Sequence, residues 1–316
     1  MKNKCLYCYQ DLTVETDYHE KCSLIFFGTR QAPKLEYTFD QMADLAKNVV
    51  ERSISVPGVQ PKLSMSFNEG KRDQRLTVVG ALGGNYIFKP PSLEYPEMPE
   101  NEHLTMRLAA LLKIKTVPSS LIRLKSGELS YITKRIDRTD DGKKIHMLDM
   151  FQITEAFDKY KSSMEKVGNA LGKFSSNTQL DKLFFFELTL FSFLTGNNDM
   201  HLKNFSMIET ASGWVLAPAY DLLNVAIANP EDKEELALTL GGKKNKLRKE
   251  HFVKLAIDLG LNTKQINGVF KRFSEKKEEL IKMIHNSFLS EVMKVKYIEI
   301  FQKRYATIYN LPLEKS

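Results

Sequence analysis

Gly196-Asn197-Asn198-Asp199-Met200-His201-Leu202-Lys203-Asn204-Phe205 follows directly on a strongly apolar segment, Gln179–Thr195, that reads as a buried helix. A polar loop carried by an apolar helix gathers hydrogen-bonding groups on a rigid support. Asp199 and Asn204 stand five residues apart. In the catalytic loops of phosphoryl-transfer enzymes, an Asp at this spacing accepts a hydroxyl proton and the Asn holds a magnesium ion. Asn and Asp are also common turn formers, and the pair alone favours that reading. Twenty-two residues after Asp199, a strand-like run, Leu216-Ala217-Pro218-Ala219-Tyr220, ends on Asp221. A carboxylate there suits a hard divalent cation, which selects oxygen ligands. Together the three groups favour catalysis over turn formation.

Upstream, Tyr86-Ile87-Phe88-Lys89-Pro90 puts a lysine at the end of an apolar strand, and Glu102 lies near the start of the next helix. A strand lysine can reach nucleotide phosphates when a carboxylate fixes its ammonium. Taken singly, the two read first as a surface lysine and a first-turn acid favoured by the helix dipole, and only second as a phosphate-binding pair. Further upstream lies Ser53-Ile54-Ser55-Val56-Pro57-Gly58-Val59-Gln60-Pro61-Lys62. Pro57-Gly58 marks a turn, and Gly58 lets backbone amides approach a phosphate. Ser53 and Ser55 read either as turn caps or as phosphate acceptors.

The pattern divides the chain. Thr38–Glu51 predicts a helix capped by Thr38. Lys62–Phe67, Leu76–Val79, Tyr86–Lys89, Ser120–Leu124 and Leu129–Lys134 predict short strands of an antiparallel sheet, and Asn101–Leu112 predicts a helix. Beyond about residue 140, Leu148–Lys161 and Gln179–Thr195 predict helices, a hairpin is expected around Ser212-Gly213, and Lys249–Tyr309 predicts at least three more helices. The expected fold is α+β and two-lobed, a sheet-rich N-lobe before a helical C-lobe. The expected domains are a Cys/His module at 1–35, an N-lobe at 36–138 and a C-lobe at 139–316.

SISVPGVQPKLS (53–64), YIFKP (86–90), NEHLTMRLA (101–109), KRIDR (134–138), GNNDMHLKNFS (196–206) and LAPAYDLLN (216–224) occur in the order found in the HipA-family serine/threonine kinases. Those kinases are the toxin halves of bacterial toxin–antitoxin modules, and the chain resembles them over roughly Ser53 to Asn224. The resemblance implies a protein-kinase-like fold and ATP and Mg2+ as cofactors. It implies Asp199 as catalytic base, Asn204 and Asp221 as Mg2+ ligands, and Lys89, supported by Glu102, on phosphate. Pro57, Gly58, Val59, Gln60, Pro61 and Lys62 match the phosphate-covering loop, and Lys134, Arg135 and Ile136 the adenine hinge. His201, Leu202 and Lys203 line the catalytic loop and Tyr220 adjoins Asp221, while Ser53 and Ser55 match inhibitory autophosphorylation positions.

The family carries a longer N-terminal subdomain, whereas 52 residues precede Ser53 here. In this the chain resembles the short kinase subunit of three-gene modules, in which that subdomain is a separate small protein. The family's hinge also commonly holds an acidic and an aromatic residue where KRIDR stands. The implied partners are a protein substrate, by analogy an aminoacyl-tRNA synthetase, and an antitoxin with a helix-turn-helix domain, through which alone DNA is reached. Two other readings are a catalytically weak kinase-fold binding module or co-repressor, and a small-molecule kinase.

Cys5-x2-Cys8-x10-His19-x2-Cys22 has the ligand types and count of a tetrahedral Zn2+ site, and the chain's 3 cysteines all lie in it. The alternative is a set of buried or free thiols beside a chance histidine. Three cysteines make no disulfide framework, and MKNKCLYCYQ offers no secretory signal, so a cytoplasmic protein is expected. The apolar run Leu183–Leu194 is broken by Glu187 and falls short of the roughly 20 residues of a membrane span. The net charge of +7 suits nucleotides, acidic proteins or nucleic acid without separating them. The basic run Lys243–Lys249 reads mainly as a solvated loop.

Overall fold

A computed structural model of the chain describes residues 3–52, 62–68, 75–79, 83–139 and 141–310. The elements run α1 (Glu20–Phe27), α2 (Phe39–Arg52), β1 (Leu63–Asn68), β2 (Arg75–Val79), β3 (Tyr86–Lys89), α3 (Met98–Leu111), β4 (Ser119–Arg123), β5 (Leu129–Lys134) and β6 (Met147–Asp149). There follow α4 (Met150–Ile153), α5 (Met164–Phe174), α6 (Thr178–Leu194), β7 (Ser206–Thr210), β8 (Gly213–Leu216), α7 (Val225–Ala228), α8 (Lys249–Asp258), α9 (Thr263–Glu275), α10 (Lys277–Asn286) and α11 (Glu291–Tyr309). They fall into two compact units. The first holds Met1–His103, Val117–Lys144 and Asn286–Phe288; the second holds Leu104–Thr116, Ile145–His285 and Leu289–Ser316.

In the first unit, two hairpins flank a central strand. The antiparallel sheet has the order β2-β1-β3-β5-β4, so β3 is paired on both sides and Lys89 sits opposite Tyr131. Strand residues alternate faces, and the register puts Leu63, Met65, Phe88 and Ile132 together on one buried face, with Leu121 and Tyr131 buried on the other. Edge strand β4 is covered by the N-terminal segment. Leu121 donates its N–H to Leu6 O, Tyr18 donates its hydroxyl to Leu121 O, and Arg123 pairs with Asp17 at 3.0 Å. Such cover removes the unpaired backbone groups of an edge. Helix α1 adds Phe26 and Phe27, whose rings lie 5.9 and 6.2 Å from that of Tyr86. Thr38 and Gln41 cap α2 reciprocally, as the sequence predicts at Thr38.

The second unit is built on α6, whose residues from Phe185 to Leu194 are all buried. Glu187 in this helix is held at 2.6 Å by Arg272 of α9. Burial pushes its carboxyl up and the guanidinium opposes the shift. A small sheet, β6-β7-β8, lies in the same unit. Its hairpin β7-β8 turns at the predicted Ser212-Gly213. Four helices fill Lys249–Tyr309.

One predicted element fails. Leu148–Lys161 is not a helix but strand β6 followed by one turn, α4. The strand wins because Leu148 pairs with Met207. The helix stops because Glu155 takes a φ of +48°, which no helix continues. Asp149 and Gln152 form a capping box around the single turn. Helices α1 and α5 went unpredicted; α1 is short, whereas α5 carries a legible signal in its Ser163 cap and buried Met164, Val167, Ala170 and Leu171. Among the described residues no helix is long and apolar enough to cross a membrane.

Candidate active site

Chemistry-bearing residues occur in both units, and each set is built by its own unit. In the first, β3 delivers Lys89 and α3 delivers Glu102. The lysine Nζ donates to both carboxylate oxygens, at 2.6 and 2.8 Å. Lys89 is 3% exposed and Glu102 1%. The ammonium also lies 5.3 Å from the centre of the Tyr131 ring. Two charges withdrawn from water persist only when well paired, so this is a site where an ion pair replaces a surface role for either residue. The sequence-based pairing of Lys89 with Glu102 is thus a direct contact.

Glu100, two residues earlier on α3, is pushed up to about 7, chiefly by burial and further by Glu97. A folded carboxyl that binds its proton more tightly than the unfolded one lowers stability as pH rises from about 4.5 to about 7. Glu100→Gln removes that loss. It is expected to stabilise the protein at pH 8 by about 1–3 kcal/mol, discounted for partial exposure, and to leave pH 4 stability nearly unchanged. Thermal melts of both proteins across that range check it.

The residues expected at the hinge end β5. Lys134 N–H donates to Pro118 O at 3.0 Å and Arg135 N–H to Asn85 O at 2.8 Å, so both amides are used within the unit. Arg135 grips Asp137 with two hydrogen bonds of 2.8 and 2.7 Å, and Arg138 adds a third at 2.7 Å. These guanidinium groups hold the Asp137 carboxyl below its usual range against the opposing effect of burial, the largest single influence on it. Three of the charged residues of KRIDR, Arg135, Asp137 and Arg138, are therefore paired among themselves. Ile136 follows in a bend, and Lys62 is exposed just before β1. Ser53, Ser55, Pro57, Gly58, Val59, Gln60 and Pro61 lie outside the described residues.

In the second unit, α6 ends at Leu194 and Gly196 turns the chain with a φ of +74°. A Cβ there would meet Asn224 Oδ1 at 2.6 Å, so glycine is required on steric grounds as well. Arg304 supports the same turn by donating to Phe193 O and Glu235 O, each at 3.0 Å. The loop then folds on Asp199, whose carbonyl accepts from His201 N–H and from the Asn204 side-chain amide, both at 2.8 Å. These two bonds fix the relation of Asp199 to Asn204. Leu202–Asn204 form a single 3-10 turn, with Leu202 and Asn204 buried, while Lys203 lies 4.9 Å from the centre of the Phe151 ring.

Asp199 Oδ1 accepts a hydrogen bond of 2.8 Å from the hydroxyl of Tyr160. Burial and this carboxylate raise the phenol above its ordinary range. The Tyr160 ring meets His201 edge-on at 5.0 Å. Burial lowers the His201 pKa, while Asp199 and Asp221 oppose the shift. Both carboxylates therefore lie within electrostatic reach of one imidazole. Asp221 itself has a φ of +54°, an uncommon conformation for a non-glycine residue and one that concentrates at functional sites. Tyr220 anchors it on the neighbouring side, with its hydroxyl 2.5 Å from Ser206 Oγ and donating to Lys203 O at 3.0 Å. Asn198 Oδ1 and Nδ2 and His201 Nδ1 are buried without a protein partner. Polar groups left over beside two carboxylates and an amide fit a hydrated hard cation, which brings its own waters.

Tyr160 and Asp181 escaped the sequence reading. Tyr160 comes from a loop 39 residues before Asp199, with no motif around it. Asp181 is buried in α6 and accepts from Ser175 Oγ at 2.6 Å and Leu216 N–H at 2.7 Å, which pins β8 ahead of Asp221. The basic run is tied to its own surroundings, with Lys244 on Glu234 at 3.1 Å and Lys249 over Phe270.

Cys5, Cys8, His19 and Cys22 come together in the first unit, their ligand atoms all within 4.8 Å of one another. Cys5 is lowered to about 4, first by a hydrogen bond from Cys8, with backbone amides of His19, Cys8 and Tyr7 assisting. Cys8, which keeps the shared proton, is raised.

Comparison with known proteins matches residues 54–281 to the family described as "HipA-like C-terminal domain". A Haemophilus influenzae protein described as "Putative kinase" is 25% identical over 288 residues, covering 82% of each chain. The Shewanella oneidensis protein named "Serine/threonine-protein kinase toxin HipA" is 28% identical over 207 residues, which are 59% of this chain and 46% of that one. The chain spans about half the length of other curated relatives that it matches. Among solved structures, the Shewanella oneidensis HipA complex with HipB and operator DNA matches with a TM-score of 0.68 at 22% identity, over 84% of this chain and 71% of that one. The fold is thus the α+β, protein-kinase-like fold of HipA. With the family match spanning well over half its length, the chain belongs to the HipA-like C-terminal domain family.

Proposed function

We propose that the protein is an ATP-dependent serine/threonine kinase and the toxin of a bacterial toxin–antitoxin module. The observation that carries this reading is the Lys89–Glu102 pair, buried and bidentate, on a central strand and the helix after it. A charged pair so placed costs desolvation, and its use is to present an ammonium of fixed position to the α- and β-phosphates of ATP. The kinases named among the relatives support the same reading.

Asp199 accepts the proton of the attacking serine or threonine hydroxyl as the new Oγ–Pγ bond forms and the bond from Pγ to the β,γ-bridging oxygen breaks. ADP leaves with that bond's electron pair. Tyr160, which donates to Asp199 Oδ1 at 2.8 Å, orients the carboxylate, and the Asn204 amide on the Asp199 carbonyl fixes the loop. Asn204 Oδ1 and the Asp221 carboxylate would hold Mg2+, which neutralises charge on the phosphates when bound. Catalysis of this kind is mostly positioning and electrostatic stabilisation. His201, Leu202, Lys203 and Tyr220 shape the loop, and Lys134, Arg135 and Ile136 form the adenine hinge. Pro57–Lys62 cover the phosphates.

The substrate is a serine or threonine of an essential protein, by family analogy an aminoacyl-tRNA synthetase. A helix-turn-helix antitoxin is the partner and the route to DNA, since the matched HipA structure is a complex with HipB and operator DNA. A separate small protein equivalent to the family's N-terminal subdomain is a further partner, and the cytoplasm is the site of action.

The test is incubation with Mg-ATP followed by phosphosite mapping. Phosphate on Ser53 or Ser55, absent from the Ser53→Ala/Ser55→Ala protein, is the expected result. Added there, two negative charges would oppose the phosphates of ATP and switch the kinase off. ATP hydrolysis without protein phosphorylation would move the reading to a small-molecule kinase. Neither ATP binding nor phosphate would overturn it in favour of a binding module.

A further inference from the structure

The Cys/His cluster has no part in phosphotransfer, yet it is the most completely assembled group of metal-ligating side chains among the described residues. Its geometry is specific. Cys8 Sγ lies 3.4 Å and Cys22 Sγ 3.8 Å from the same atom, His19 Nδ1. With metal–sulfur and metal–nitrogen bonds of about 2.3 and 2.0 Å, the edges of a tetrahedron around one ion are about 3.5–3.8 Å. The largest separation in the cluster, at most 4.8 Å, needs side-chain movement of about 1 Å to match.

The tautomer of His19 is set by its surroundings. Nε2 lies 3.1 Å from Asp11 O, which can only accept, so Nε2 carries the proton and Nδ1 turns its lone pair toward the three sulfurs. A backbone carbonyl on the outer nitrogen is the usual support of a metal-ligating histidine. His19 is also the residue before α1, and its side chain makes no capping bond to the helix. Its ring is committed to the cluster.

The backbone is shaped for the same purpose. Cys5 N–H donates to Gln10 O at 2.9 Å and Tyr9 N–H to Cys5 O at 3.0 Å, closing a tight turn that faces Cys5 and Cys8 the same way. Tyr9 completes the turn with a φ of +67°.

We infer that Cys5, Cys8, His19 and Cys22 bind one Zn2+ tetrahedrally, and that this ion fixes Tyr9 against helix α3. Three thiolates and one imidazole fill the coordination sphere, leaving no open position, so the role is structural. What the ion holds is visible one residue past Cys8. Tyr9 is 3% exposed, and its hydroxyl lies 2.9 Å from His103 Nδ1. His103 is the neighbour of Glu102, the partner of Lys89. The ion therefore positions the start of α3 through Tyr9. The segment it organises also covers edge strand β4 through Leu6, Asp17 and Tyr18.

The test is metal analysis of the full chain. The reduced protein, supplied with Zn2+, is expected to hold one equivalent after desalting, measured by native mass spectrometry. Co2+ in its place should give the absorption of a tetrahedral thiolate site. Cys8→Ser is expected to weaken Zn2+ binding by more than about 100-fold, while His19→Cys, which preserves four ligands, keeps one equivalent. Tyr9→Phe should keep the metal yet lower the melting temperature, separating the ion from the contact it supports. Failure of the folded wild-type chain to take up Zn2+ or Co2+ overturns the proposal without reference to any variant. So does a Cys8→Ser/Cys22→Ser protein that binds Zn2+ as tightly as wild type. Neither outcome bears on the kinase reading, because metal content is measured without ATP.

Discussion

Asp199→Asn is expected to lower the rate of phosphoryl transfer by about 100- to 10,000-fold, the range a positioned general base contributes. The substitution keeps shape and removes the charge that accepts the proton. Its neighbours should hardly move. The bonds to His201 N–H and to the Asn204 amide use the main-chain oxygen of residue 199, which the change leaves intact. Asn can still accept from the Tyr160 hydroxyl through its own Oδ1. The melting temperature and the affinity for Mg-ATP should therefore stay close to wild type while turnover collapses. Single-turnover transfer from radiolabelled ATP, read beside a thermal melt, measures both. A rate within tenfold of wild type would remove Asp199 from the reaction.

Glu102→Ala makes a different kind of damage. It leaves Lys89 buried at 3% exposure without its bidentate partner. Breaking such a pair from one side costs about 3–5 kcal/mol. At about 2–4 °C per kcal/mol for a chain of this size or smaller, the melting temperature should fall by roughly 6–20 °C. Lys89→Met/Glu102→Leu removes both charges and fills the space with apolar atoms, so much of the lost stability should return. Activity should not, because no ammonium is then left to meet phosphate. Stability regained without activity would separate the chemical role of the pair from its structural one. An unchanged melting temperature in Glu102→Ala would show that the pair is not desolvated in solution.

The sequence carried much of this arrangement, for identifiable reasons. Strands β3 and β5 were legible because short apolar runs bounded by turns have few alternatives, and both were predicted to the residue. The same reasoning gave α6, since an apolar segment of that length has no stable place except inside. Leu148–Lys161 misled because its apolar spacing suits a helix, whereas the pairing of Leu148 with Met207 is a long-range event that no local pattern encodes. The loop Asn197–Asn204 announced itself by composition. Tyr160 did not, because a tyrosine in a loop acquires its meaning only when folding brings it to Asp199. KRIDR shows a third kind of gap: its charges are legible, but the convergence of Arg135 and Arg138 on Asp137 is not.

The first unit is assembled from three separate stretches of chain, the last of them Asn286–Phe288. That short stretch supplies the Phe288 ring, 5.5 Å from Tyr9, and the Asn286 carbonyl that accepts from Lys4 at 3.2 Å. During synthesis, once Lys144 is made, the N-terminal residues still wait for these partners while roughly 140 further residues are added, about 7–30 s at ribosomal speed. The nascent first unit thus spends that interval with the Tyr9 flank uncovered. Its completion is timed by translation of the residues after Lys144 and cannot precede it.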